Sequence, residues 1–163
     1  MTIETRGMML AAALLLSASA GAHGVQGKKG TADAQLDRSA RPAAAVVDAF
    51  HAALRRGDTA TAIALLTDDA LIFETGGAEH DKAEYAAEHL RADAEFSSKV
   101  VSSVTRRVGR SDGATAWIAT EGRSTGAFGG KPIDQRTTET MILRRTAQGW
   151  RIAHVHWSSA RAR

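Results

Sequence analysis

The chain has no cysteine, and this absence excludes more than any single motif suggests. No disulfide can staple the fold. No thiolate-built zinc site can form, and the lipid-attachment cysteine of a lipoprotein is missing. The fold must stand on its apolar core. Tyrosine occurs once, as Tyr85. No HExxH or other local ligand spacing is present, and no serine stands in a nucleophile-elbow context. The glycine-rich piece Gly126-Ala127-Phe128-Gly129-Gly130 falls at a hairpin turn rather than between a strand and a helix, so it is no nucleotide loop. The one unbroken apolar run, Met8 to Leu16, is too short to cross the roughly 30 Å hydrocarbon core of a bilayer as a mature helix.

That run follows Arg6, weakened by Glu4, and precedes the small residues Ser17, Ala18, Ser19, Ala20, Gly21 and Ala22. A charged start, an apolar centre and a small-residue end make a secretory signal, with cleavage after Ala20 or Ala22. Residues 1–22 are therefore read as a signal peptide and the protein as periplasmic or secreted, with no stable membrane insertion once the signal is removed. Residues 23–41, rich in Gly, Ala, Lys and Asp without apolar periodicity, are read as a flexible linker. Residues 42–160 form one domain, and 161–163 a basic tail. Net charge is +3 with a pI near 9.7. The excess lies in Lys28, Lys29, Arg38 and Arg41 of the linker and in Arg161 and Arg163 of the tail, leaving the domain close to neutral. Without a basic face, nucleic acid is not an expected partner.

Pro42 suits the first turn of a helix, and Val46, Val47, Phe50, Ala53 and Leu54 recur at helical spacing up to Gly57. Asp58 can cap a short second helix, Thr59 to Leu66. A strand, Ala70 to Glu74, closes at Gly76-Gly77, and a third helix runs from about Asp81 to Phe96. Strands are then predicted over Lys99–Arg110, Ala114–Ser124, Ile133–Arg145 and Trp150–Ser159. Turns at Ser111-Asp112-Gly113, Gly129-Gly130-Lys131-Pro132 and Ala147-Gln148-Gly149 join them into an antiparallel meander. Helices first and a meander after is an α+β arrangement.

This order, with the phrases AFHAALRRGDTATAIALLTDDALIFE and GWRIAHVHWSS, resembles the SnoaL-like domain of the nuclear transport factor 2-like, ketosteroid isomerase-related superfamily. The resemblance covers roughly residues 42–160. It implies a cone-shaped nuclear transport factor 2-like (cystatin-like) fold, three N-terminal helices packed on a curved antiparallel sheet, with a pocket at the open end. It also implies a small-molecule ligand and a homodimer formed through the sheet. Members include isomerases, cyclases, dehydratases, hydrolases and non-catalytic binders, so the fold does not name a reaction. The isomerases use a strand aspartate as base, with a tyrosine and a protonated acid as oxyanion donors. That trio does not map here, because Tyr85 lies on the third helix rather than the first.

The residues themselves suggest where chemistry would sit. At about 100° per residue, the third helix shows a core face of Ala83, Ala86, Ala87, Leu90 and Ala94. Its solvent face carries Glu84, Glu88, Arg91 and Glu95. Tyr85, His89, Asp93 and Phe96 make a third face, expected to wall a polar pocket or to form a boundary stripe under a loop. On the last strand, alternation places Ile152, His154, His156 and Ser158 on one face and Ala153, Val155, Trp157 and Ser159 on the other. Val155 and Trp157 are then expected on the outer, dimer-forming side. Glu74 is the preferred carboxylate, at an inward-facing strand end. Glu79, His80 and Asp81 read as solvated or capping, Asp48 and His51 as weaker candidates, His51 as a packing residue. The predicted site is thus Tyr85, His89, His154, His156 and Glu74 around one cavity, working by acid–base chemistry on a small organic molecule without a cofactor. Alternatives are a non-catalytic ligand-binding module and a metal protein. His89, His154, His156 and Glu74 would be a sensible set for zinc, copper or iron, and His23, if it became the mature amino terminus, a further copper route.

Export is directly testable. Amino-terminal sequencing of periplasmic or secreted material should begin at Gly21 or His23, and a mature chain that retains Met1 would refute the signal peptide.

Overall fold

The computed structural model describes residues 35–163; the expected signal peptide and residues 23–34 of the expected linker lie outside the described residues. Strand β1 (Gln35–Leu36) and a 3-10 turn (Arg38–Ala40) lead into α1 (Arg41–Arg55) and α2 (Thr59–Ala64). Then come β2 (Leu66–Glu74), β3 (Gly77–Glu79), α3 (Lys82–Glu88) and α4 (Leu90–Lys99). The chain ends in the meander β4 (Val100–Ser111), β5 (Thr115–Phe128), β6 (Lys131–Thr146) and β7 (Gly149–Arg161). One seven-stranded sheet results, in the order β1-β4-β5-β6-β7-β2-β3. The expected α+β fold is present. Among the described residues no helix is long and apolar enough to cross a membrane.

Local chemistry sets the element boundaries. Pro42 stands in the first turn of α1, and Gly57 stops the chain beyond it at a φ of +68°. Asp58 caps α2 through Thr61 N at 3.0 Å, and Asp81 caps α3 through Glu84 N at 2.8 Å. Phe50, Val47, Ala53 and Leu54 on α1 pack against Ile118, Met141, Leu143, Ile152 and Val155 of the sheet.

Several expectations are corrected. The linker ends earlier than residue 41: Gln35 and Leu36 pair with Val108 and Gly109, and helical turns begin at Arg38. The meander is antiparallel, but β1 joins β4 and β2 joins β7 in parallel, so the sheet is mixed. Gly76 does not end the pairing. Thr75 and Gly76, both at positive φ, turn β2 back into β3.

The third helix is two helices, broken at His89, which ends α3 and begins α4. The break voids the single helical wheel. Ala83, Ala86 and Ala87 are exposed, and Tyr85 takes the buried position on α3. An alanine methyl gains little from burial, whereas a tyrosine ring gains much.

The most consequential correction lies on β7. Ile142 pairs with His154, yet Leu143 pairs with Ile152, so Ala153 is a bulge with no partner. The extra residue reverses the alternation. Ile152, Val155 and Trp157 all face the helices, while His154 and His156 share the outer face. Val155 is buried and cannot serve an outer dimer surface.

Candidate functional site

Register across the sheet builds the site. Arg107 on β4 pairs with Thr120, Thr120 with Glu139, Glu139 with Trp157, and Trp157 with Glu74 on β2. The five residues form one transverse row, and all line a single cavity of about 250 Å³ between sheet and helices. That size stands just below the roughly 300–1,000 Å³ usual for ligand pockets. The neighbouring row toward the closed end is Ile118, Met141, Val155 and Ile72, all buried and apolar. Toward the mouth the lining turns to hydroxyls, with Ser124 and Thr137 on the sheet and Ser102 bonded to Ser124 at 2.8 Å. The cavity therefore grades from apolar floor to polar rim.

Two ionisable clusters face this space. In the first, His51 on α1 contacts Glu139 at 2.7 Å, and the Trp157 indole N–H donates to the same carboxylate, also at 2.7 Å. Phe50 stacks on Trp157 with ring centroids 6.3 Å apart and fixes its plane. Burial alone would raise the Glu139 pKa, but His51, the Trp157 hydrogen bond and nearby Arg107 outweigh it and hold the carboxylate below its ordinary value. Arg107 donates to Asp48 at 2.8 Å and to Thr120 Oγ1 at 3.3 Å.

The second cluster is Glu74 and Asp93. Surrounding protein raises the pKa of Glu74, although much of its surface still meets the cavity; Asp93 raises it further, while His89 opposes. Burial likewise raises Asp93, held back by the Tyr85 hydroxyl, which donates to it at 2.8 Å, and by His89. Burial, with Asp93 beside it, pushes Tyr85 far above its ordinary range, so the phenol keeps its proton and donates.

Of the predicted site residues, Glu74 lines the cavity, and Tyr85 supports it from behind through Asp93. His89 is about half exposed, ion-paired with the buried Glu79, and close enough to act on Glu74 and Asp93 electrostatically. Glu79 is thus neither a solvated nor a capping residue. His154 and His156 are not part of the cavity. His154 Nδ1 donates to the Leu71 carbonyl at 2.9 Å on the outer face, and both rings meet Phe73 edge-on. The set His89, His154, His156 and Glu74 is not assembled for a metal, and among the described residues no group of three or more His, Cys, Asp or Glu is placed to hold one. His51, Glu139, Arg107 and Trp157 carry more of the site than expected. Only His51 was visible as a candidate, from its place beside the apolar stripe of α1. Arg107 and Trp157 depend on two bulges, at Thr105 and at Ala153, which single-strand alternation does not reveal, whereas Glu139 shares the regular alternation of Met141 and Leu143 on β6.

Comparison with known proteins agrees with this architecture. The SnoaL-like domain family matches residues 43–162. The chain belongs to the SnoaL-like domain family. Among solved structures, a Shewanella frigidimarina protein assigned as a ketosteroid isomerase is 34% identical over 72% of this chain and 94% of its own, with a TM-score of 0.68. An NTF2-like protein with a cystatin-like fold from Novosphingobium aromaticivorans is similar in fold at 14% identity, over 73% of this chain and 80% of its own, TM-score 0.61. So is a Xanthomonas campestris protein assigned as a calcium/calmodulin-dependent protein kinase II association domain, at 21% identity over 78% and 93%, TM-score 0.66. No curated protein matches the chain.

The two clusters should act on stability with opposite signs. A carboxyl whose folded pKa is raised binds its proton more tightly when folded, so stability falls as pH rises through the raised value; Glu74 and Asp93 act this way. Glu139 contributes stability above its unfolded pKa and loses it as pH falls through the lowered folded value. Urea unfolding followed from about pH 3 to about pH 9 should show Glu139→Gln less stable than the native chain at neutral pH, the gap closing in acid. Glu74→Gln should flatten the native decline above the ordinary carboxylate range. Glu139→Gln matching native stability at neutral pH would contradict the assignment.

Proposed function

We propose that this SnoaL-like domain binds a small organic molecule in its cavity and moves a proton on it by acid–base chemistry without a cofactor. One observation carries the reading: a single row of the sheet holds a carboxyl driven toward its neutral form, Glu74, and a carboxylate held ionised, Glu139. Titratable groups pushed apart in this way fit the separate tasks of proton donor and proton acceptor. Glu74, with Asp93 beside it and Tyr85 orienting Asp93, is the proton donor, and Glu139 is the acceptor. His51 and Trp157 keep Glu139 charged. A proton taken from the ligand by one carboxylate returns at another position, so no oxidant or further reactant is needed.

The test uses the ligand that co-purifies with the chain, identified by mass spectrometry, and reads deuterium incorporation into it in D2O. The native chain should catalyse exchange, and Glu74→Gln and Asp93→Asn should slow it by about 10²–10⁴-fold with little change in affinity. A ligand that binds the native chain without exchanging would instead identify a non-catalytic binding module.

We propose further that the mature protein works in the periplasm or outside the cell, as its amino-terminal segment suggests, and that it pairs through the sheet's outer face. The motif for pairing differs from the one expected. Trp117, Ile142, His154 and Leu71 align across β5, β6, β7 and β2, and Trp117 and Ile142 are 41% and 38% exposed. Phe73 extends the same face. Aromatic and aliphatic groups left together in water favour association. Light scattering should give a dimer for the native chain and a monomer for Trp117→Arg; a native monomer at high concentration would remove the dimer.

A further inference from the structure

The cationic side of the cavity points to the chemical class of the ligand. Arg107 is only 5% exposed, yet it lines the cavity. Its Nη1 is used by Asp48 and its Nε by Thr120, while Nη2 meets no acceptor among the described residues. Arg55, the last residue of α1, lines the same cavity from its exposed rim and forms no ion pair among the described residues. The neighbouring negative charge is already engaged: Glu139 is held by His51 and Trp157, and Asp48 by Arg107. A largely buried guanidinium with an unused N–H is costly to desolvate unless an acceptor meets it. The same cavity also has apolar lining at Leu54, Phe96, Val100 and Trp157, set among serines and threonines.

We propose that the ligand is a small carboxylate with a compact apolar body, its carboxylate held by Arg107 and Arg55 and its body packed against Leu54, Phe96 and Trp157. The inference rests on the cavity being the ligand site and adds the ligand's charge and shape. A planar carboxylate suits the fork of a guanidinium. One negative charge is also what Arg55, unpaired among the described residues, and the free Nη2 of Arg107 call for. Arg107 and Glu74 end the transverse row four strands apart. Anchoring the carboxylate at Arg107 thus keeps it away from the carboxyl pair and turns the far end of the molecule toward Glu74 and Asp93. A ligand anion next to Glu74 would be repelled once that group ionised, so the spacing is functional.

Isothermal titration calorimetry on the full chain separates the possibilities with three probes, butanoate, phenylacetate and cyclohexanecarboxylate, each run against its own amide. The amide keeps size and shape and removes the charge. At least one acid should bind about tenfold or more tighter than its amide, the difference expected of a charge-assisted hydrogen bond. Arg55→Gln and Arg107→Gln should each weaken the acid about tenfold and leave the amide within about twofold. Arg55 is exposed, so its substitution does not threaten the fold. Equal binding of acid and amide, or a preference for the acid that persists in both variants, overturns the carboxylate class while leaving the cavity as a ligand site. If no acid and no amide binds, both the cavity reading and this inference fall.

Discussion

A single unpaired residue, Ala153, sets the arrangement on which both core and site depend. Without it, period-two alternation would carry either Ile152 or the pair Val155 and Trp157 away from the helices. With it, all three point inward, Ile152 and Val155 closing the floor and Trp157 reaching the cavity. Trp157 in turn is sandwiched by chemistry from two elements, the Phe50 ring of α1 on its face and the Glu139 carboxylate of β6 at its N–H. The bulge therefore joins the packing of the first helix to the charge state of a carboxylate one strand away.

The cavity keeps four carboxylates in different electrical surroundings within one small space. Asp48 is paired with Arg107 and Glu139 with His51, whereas Glu74 and Asp93 have each other, a phenol and only the more distant His89. A purely structural polar core would pair its charges or omit them. Leaving two carboxyls mutually repelling at a cavity wall is a standing cost in stability, and such costs gather at sites with a chemical task. The SnoaL-like fold supplies the enclosure, while the row from Arg107 to Glu74 supplies its ionisable groups.

The order of elements was legible because helical and strand periods differ and because Gly57, Asp58, Asp81 and the turn glycines mark boundaries plainly. The cap at Asp81 and the inward Glu74 follow from local rules alone. The site was legible only in part, for two physical reasons. A helix wheel assumes an unbroken helix, and the interruption at His89 turned the alanines of α3 outward. Strand alternation assumes no bulge, and Ala153 moved His154 and His156 to the far side of the sheet. Both errors arise where tertiary packing overrides a local period. Arg107, Glu139 and Trp157 are separated by long stretches of sequence, and only cross-strand register brings them into one line.

The sheet opens and closes with its shortest strands, β1 of two residues and β3 of three. Long exposed edges offer unpaired amides and carbonyls as templates for another chain. Here β1 pairs only with Val108 and Gly109, and β3 only with Ile72 to Glu74, so the outer edge of β4 from Val100 to Arg107 has no strand partner among the described residues. The bulge at Thr105 interrupts that edge, and such an irregularity discourages growth by strand addition, the route to fibrous aggregates. Resistance to that growth therefore rests on one extra residue in β4 rather than on a covering strand.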